Sequence, residues 1–263
     1  MKWTASKLRA LKGEQKIAMV TAYDALTGAL ADDAGIPAVL VGDSLGMTVL
    51  GYDTTLPVSM DEMVHHTAAV SRGVQNALVI ADMPFMSYQP SLAAGLENAG
   101  RFLKEARADA VKIEGGAIRG ELIESLVKNG IPVLGHIGLT PQSIKEMGGY
   151  KVQGKTSEQA RQLMDDAMAV EQAGAFGLVL ECVPAELGET LSKALTIPTI
   201  GIGAGSGCDG QVLVLTDLLG MSGKPVPKFV KHFAHLHGQI IDALQAYKSE
   251  VESGTFPADE NIY

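Results

Sequence analysis

The feature that most constrains this chain is its alternation. Short runs of Val, Ile, Leu and Ala recur along its length, and the stretches between them carry apolar residues at helical spacing. Continuous apolar runs are what strands buried on both faces look like, and strand–helix alternation builds a parallel sheet. Eight such runs can be read, at 16–21, 38–42, 77–81, 110–113, 131–136, 177–180, 199–202 and 211–215. A (β/α)8 TIM barrel takes about 250 residues, and the chain has 263, so one barrel domain is expected over 1–263. A doubly wound open sheet is the alternative. The strand count, and the lack of Gly-x-Gly-x-x-Gly after the first strand, favour the closed barrel.

Helices are expected at 24–34, 59–72, 91–107, 120–128, 157–173 and 184–194. Ser59 and Glu62 form a capping box, Ser157 opens a similar pattern without the glutamate, and Pro184 stands at a helix start. A long C-terminal helix at 227–252 is expected to close the barrel or join a subunit interface.

Net charge is −9 with Lys and Arg scattered, which argues against a nucleic-acid partner. Cys182 and Cys208 lie in no metal or redox spacing and read as free thiols of a reducing compartment. The first eight residues lack the apolar core of a signal peptide, and no apolar run is long enough to span a membrane. A cytoplasmic protein acting on small molecules is expected, with neither membrane nor nucleic acid as partner.

In such barrels the active site lies at the carboxyl ends of the strands. Here those ends are polar in succession: Tyr23-Asp24, Asp43-Ser44, Asp82, Lys112 with Glu114, His136, and Glu181. Any one of them could be a helix cap. Asp43, Asp82 and Glu114 come from adjacent strands and would repel unless a cation sat among them. Oxygen ligands without thiolate suit Mg²⁺ or Mn²⁺; ion pairs with nearby lysines are the bland reading. Lys112 and Glu114, two residues apart on a strand, should face the same side. Lys112 could form a Schiff base, but neighbouring carboxylates favour its charged form and an electrostatic role toward a substrate carboxylate. Glu181 ends an apolar strand, where desolvation would make it a better base, so it is the candidate for proton abstraction; it could instead favour a helix N-terminus. His136 is either a pocket residue or a structural histidine. The other histidines read as surface or packing residues. The glycine loop 201–205 is weak evidence for any ligand, and 148–154 reads as a flexible lid.

These residues sit in motifs that run in order along nearly the whole chain. They include Val41-Gly42-Asp43-Ser44-Leu45-Gly46-Met47, Ala81-Asp82-Met83-Pro84-Phe85, Val111-Lys112-Ile113-Glu114-Gly115-Gly116, Gly135-His136-Ile137-Gly138-Leu139-Thr140-Pro141-Gln142, Gly149-Tyr150-Lys151-Val152-Gln153-Gly154 and Leu180-Glu181-Cys182-Val183-Pro184. In them the chain resembles the ketopantoate hydroxymethyltransferase family. The resemblance implies a barrel of the phosphoenolpyruvate/pyruvate superfamily type. It implies transfer of a hydroxymethyl group from 5,10-methylenetetrahydrofolate to 3-methyl-2-oxobutanoate, giving 2-dehydropantoate for pantothenate and coenzyme A synthesis, through a Mg²⁺-stabilised enolate. Carried over by motif, the metal carboxylates are Asp43 and Asp82 with Glu114 in the metal shell. The 2-oxo acid contacts are Asp43, Ser44, Asp82 and Lys112, with His136 lining the pocket, and Glu181 is the base. Bacterial members form large homo-oligomers, often decamers. The competing readings are a Mg²⁺-dependent 2-oxo acid lyase or phosphomutase of the same superfamily, and a non-catalytic scaffold.

Overall fold

The structure is a computed structural model that describes residues 2–223 and 225–263. Eight parallel strands close into a barrel: β1 Ile17–Thr21, β2 Ala38–Val41, β3 Leu78–Asp82, β4 Ala110–Glu114, β5 Val133–Gly138, β6 Gly177–Glu181, β7 Thr199–Ile202 and β8 Gly210–Leu213, with β8 pairing back onto β1. Each expected strand is present, with ends shifted by up to two residues. The eighth stops at Leu213, where residues 214 and 215 were expected to continue it; Leu215 opens a short helix instead.

Alternate residues point inward, and the inward set changes character with height. At the amino end it is apolar: Ile17, Met19, Ala38, Leu40, Leu78, Ile80, Ala110, Leu134, Val179, Ile200 and Val212 form one buried cluster. The helix Ala5–Arg9 closes that end, placing fully buried Leu8 against the cluster. The leading segment, which carried no element in the sequence reading, thus contributes to the core. Two residues further up the strands, the same inward rows carry charge, and this is the carboxyl-end rim.

Local sequence explains the helices that flank the barrel. Ser59 accepts a hydrogen bond from the Glu62 N–H, and Glu62 accepts one from the Ser59 N–H, so the expected capping box starts the helix Met60–Gly73. The later helix is capped one residue earlier than the serine suggested: Thr156, with Gln159 completing the box, opens Ser157–Gln172. Asp24 caps Ala25–Asp33, so this strand-end carboxylate is a helix cap, accepting the Thr27 N–H at 2.7 Å.

The chain forms two compact units, Met1–Val214 and Leu215–Tyr263. The barrel belongs to the first. In the second, the long helix runs Leu236–Ser253, nine residues shorter at its start than expected, and none of its side chains is buried. Residues 227–235 before it are irregular apart from a turn at 228–229, and the missing N–H and fixed φ of Pro227 disfavour a helix there. No helix among the described residues is long and apolar enough to cross a membrane.

Candidate active site

Strand register assembles the site before any side chain is considered. Asp82 pairs with Lys112 across β3–β4, Glu114 with His136 across β4–β5, and Gly138 with Glu181 across β5–β6. Residues paired across a ladder share a face. Lys112, two below Glu114, therefore points into the same mouth. The Lys112 Nζ lies 2.9 Å from Asp82 Oδ1, 3.7 Å from Glu114 Oε1 and 3.0 Å from His136 Nδ1. Beyond it, His136 Nε2 lies 3.2 Å from Glu181 Oε2. Asp43 follows β2 and donates its backbone N–H to Asp82 Oδ2 at 3.2 Å. Ser44 hydrogen-bonds the Tyr23 hydroxyl at 2.9 Å. Asp43, Ser44, Asp82, Lys112, Glu114, His136 and Glu181 thus all lie at this rim.

Burial sets their charges. Asp43, Asp82, Lys112, Glu114 and His136 are each at most 4% exposed. Burial, with Asp82 and Glu114 as like-charged neighbours, holds the Asp43 carboxyl well above the ordinary carboxylate range. Burial also raises Asp82, against the pull of Lys112. Glu114 goes the other way: burial would raise it, but Lys112 and His136 outweigh that and hold it low. Burial disfavours a charged lysine, yet Asp82, Glu114 and Asp43 together raise Lys112, so it stays an ammonium. That state suits ion pairing and disfavours Schiff-base chemistry. Burial and Lys112 push His136 down, while Glu114 and Glu181 on either side pull it up to about 9. In the neutral form, the Lys112 ammonium donates to Nδ1 and leaves the proton on Nε2; in the charged form Nε2 also bears one. Either way the edge toward Glu181 carries a proton. Glu181 keeps 16% of its side chain exposed, so it faces both the cluster and the mouth.

The donor set fits a hard divalent cation. Asp82 Oδ1 and Glu114 Oε1 are buried and lack an aligned hydrogen-bond partner. Burial and the like charges of Asp82 and Glu114 raise the Asp43 carboxyl, and an added cation would relieve that crowding of negative charge. Among the described residues, no group of three or more His, Cys, Asp or Glu side chains is placed to hold a metal ion. Mg²⁺ does not require one, since it binds through one or two carboxylates and keeps water and substrate as its other ligands.

Three contributors carried no role in the sequence reading. Gln142, 4% exposed, bonds both Asp43 and Glu114. The Tyr88 hydroxyl donates to Gln142 Oε1 at 2.8 Å, under the Arg119 guanidinium 5.3 Å from its ring. Tyr150, in the expected lid, reaches Met47 Sδ across the mouth at 3.6 Å. Burial, then Glu181, Asp43 and Glu114, raise its phenol. Gln142 stands in a quoted motif, but only the fold shows where its amide goes. Beside the cluster, a cavity of about 540 Å³ is walled by Gly115, Gly138, Thr140, Gln153, Gln162 and Asp166.

Two other features resolve as structural. His66 Nδ1 bonds the Tyr23 carbonyl at 2.6 Å, a packing role. In the 201–205 loop Gly205 has φ +82°, and a Cβ there would lie 2.5 Å from Ala185 Cβ. The loop is glycine-rich so that it can turn and lie against the helix Ala185–Ala194.

A closed parallel barrel whose carboxyl end gathers buried carboxylates about one lysine defines a class, the (β/α)8-barrel enzymes, whose sites lie at the carboxyl ends of the strands. Its fold is shared with a solved phosphoenolpyruvate phosphomutase from Streptomyces platensis subsp. rosaceus, at TM-score 0.65 and 14% identity over 99% of this chain and 92% of that one. It is shared also with a 2,3-dimethylmalate lyase of the PEP mutase/isocitrate lyase superfamily, at TM-score 0.60 and 16% identity over 100% and 93%. At those identities the likeness is one of fold alone. The family model for ketopantoate hydroxymethyltransferase matches residues 2–259, and the chain belongs to that family. It is 54% identical to the 3-methyl-2-oxobutanoate hydroxymethyltransferase of Syntrophus aciditrophicus (strain SB), over 100% of this chain and 97% of that protein. It is 55% identical to the enzyme of the same name from Clostridium novyi (strain NT), over 100% and 96%.

Proposed function

We propose that this enzyme transfers a hydroxymethyl group from 5,10-methylenetetrahydrofolate to 3-methyl-2-oxobutanoate, giving 2-dehydropantoate for pantothenate and hence coenzyme A synthesis. The observation that carries the mechanism is the graded row Asp82, Lys112, His136 and Glu181, running from a cation-type site to a partly exposed base within contact distance of one another. Asp43 and Asp82 would hold a Mg²⁺, which when bound supplies positive charge against the negative charge that develops on the 2-oxo acid. Glu114 supports that centre through Lys112. The Lys112 ammonium neutralises the substrate carboxylate, and the Ser44 hydroxyl, oriented by Tyr23, hydrogen-bonds it. Glu181 takes the proton from C3. His136, its Nε2 3.2 Å from Glu181 Oε2, pairs with that carboxylate by charge. Water adds to the methylene carbon as its bonds to N5 and N10 break, releasing tetrahydrofolate; C3 attacks the aldehyde-level carbon so formed, and that carbon's oxygen takes up a proton to become the new hydroxyl. The cavity lined by Gly115, next along the chain from Glu114, and Gly138, at the end of β5, offers room for the folate.

Within the superfamily alternative of a lyase or phosphomutase, many lyases use a lid-loop cysteine as the base. Here burial and Glu181 push the Cys182 thiol up to about 11, which keeps it protonated and unsuited to that role. Both cysteines are free, as in a cytoplasmic protein. The exposed Ile240, Ile241, Leu244 and Val251, at helical spacing on Leu236–Ser253, support a homo-oligomer, with a decamer the expected count.

The test is a direct assay of tetrahydrofolate and 2-dehydropantoate formation with and without EDTA. Both products should appear, and the chelator should abolish them until Mg²⁺ is restored. A chelator-insensitive rate would refute the metal role, and no product with metal and folate present would refute the reaction.

A further inference from the structure

Gln142 occupies an unusual position among the buried polar groups. It follows β5 in the turn Pro141–Ser143 and has no chemistry of its own, yet it touches two of the site's carboxylates. Its backbone N–H donates to Glu114 Oε2 at 3.0 Å. Its side-chain Nε2 donates to Asp43 Oδ2 at 3.0 Å and to the Met83 carbonyl at 2.9 Å. Its Oε1 accepts from the Tyr88 hydroxyl at 2.8 Å and from Gln89 Nε2 at 3.1 Å.

An amide has two N–H donors and two acceptor lone pairs, and all four are used. The orientation is therefore fixed. Turning the amide over would set its oxygen against a carboxylate and a carbonyl, two acceptors facing an acceptor, at a buried site where an unmet polar group is costly. Asp43 Oδ2 is thus occupied by a donor that cannot swing away, and Glu114 Oε2 by a backbone N–H. The second oxygen of each carboxylate stays available to the cluster. For Glu114 this is Oε1, the buried oxygen without an aligned partner, 3.7 Å from Lys112 and 3.5 Å from His136.

The geometry points to Gln142 as the positioning residue that holds Asp43 to one-oxygen ligation and so favours a small octahedral cation over a larger one. The inference rests on the proposed cation role of Asp43. Mg²⁺ demands near-ideal octahedral geometry and takes single carboxylate oxygens with water. Ca²⁺ accepts more ligands and two-oxygen carboxylates. The amide takes one lone pair of Asp43 Oδ2 and fixes the plane of the carboxylate, so two-oxygen ligation of a larger cation would require the carboxylate to turn against that bond. Partners behind a metal ligand typically change affinity or activity by about 10–100-fold when lost.

The test is calorimetric titration of the full-length protein with Mg²⁺ and with Ca²⁺, for wild type and Gln142→Met, which keeps the side-chain length and removes both ends of the amide. The wild type should bind Mg²⁺ and prefer it. The variant should lose about 10-fold or more in Mg²⁺ affinity while Ca²⁺ affinity holds or rises, so that the preference narrows. In steady-state assays with Mg²⁺ varied, the half-saturating metal concentration should rise more than kcat falls at saturating metal. Tyr88→Phe, which removes one of the two groups holding the amide oxygen, should shift the preference the same way by a smaller factor, and it serves if Gln142→Met does not fold. A wild type that binds no Mg²⁺ overturns the cation reading and this inference together. A wild type that binds Mg²⁺, with variants of unchanged preference, overturns the inference alone.

Discussion

Replacing Lys112 with methionine would separate burial from mere pairing. The substitution keeps an unbranched side chain of similar reach in a position 3% exposed, but removes the ammonium that faces Asp82 at 2.9 Å and Glu114 at 3.7 Å. Breaking a buried ion pair by deleting one partner costs about 3–5 kcal/mol, because the remaining charge stays buried. Lys128 supplies the control. It makes an even shorter contact with Glu124, 2.7 Å, on an exposed helix face, with the two side chains 69% and 55% exposed. An exposed pair of this kind contributes about 0.3–0.5 kcal/mol. With an m-value of about 3 kcal/mol/M in urea, Lys112→Met should lower the unfolding midpoint by about 1–1.7 M and Lys128→Met by less than about 0.2 M. Circular dichroism during urea titration reads both. Saturating Mg²⁺ should restore part of the Lys112→Met loss, since a ligand that binds only the folded state stabilises it. Equal midpoint shifts for the two variants would refute the argument that this lysine is the buried counter-charge of the site.

Three further outcomes are expected. Glu181→Gln should slow exchange of the C3 proton of 3-methyl-2-oxobutanoate in deuterated water by about 10²–10⁴-fold with Mg²⁺ binding retained; proton NMR of the substrate reads this, and undiminished exchange would remove Glu181 as the base. Gly138→Ala should destabilise the barrel and depress activity together, because φ is +94° there and the new Cβ would lie 2.2 Å from the Glu181 carbonyl oxygen; a variant with wild-type melting temperature and rate would contradict the account. Asp32→Asn should cost about 1–3 kcal/mol at pH 7, since Asp32 accepts backbone N–H groups of Gln75, Asn76 and Ala77. Burial alone would raise its pKa, but those bonds lower it below 3.8. Near pH 4 the unfolded chain then binds more protons, so stability rises with pH. The contribution is present above 3.8 and lost as pH falls through the depressed value, and the gap between wild type and variant in urea should close below about pH 4.

The sequence by itself determined the barrel and the height of its site. Inward apolar residues below and inward charges above follow from a side-chain period of two, which a linear reading can apply, and that rule correctly put Lys112 and Glu114 on one side. Local chemistry also survived folding where it was local: the Ser59–Glu62 box formed because both partners lie within one helical turn. What only the tertiary structure decided is how the charges are shared. Register across β3, β4, β5 and β6 sets Lys112 between Asp82, Glu114 and His136, and register is a relation between segments that no segment contains. Asp24 and Asp43 are both acids after a strand, yet one caps a helix and the other is buried against Asp82. Gln142 shows the limit most clearly. It stands 99 residues from Asp43 and 28 from Glu114, and its amide gains meaning only when closure of the barrel brings three loops together and removes the water that would otherwise satisfy it.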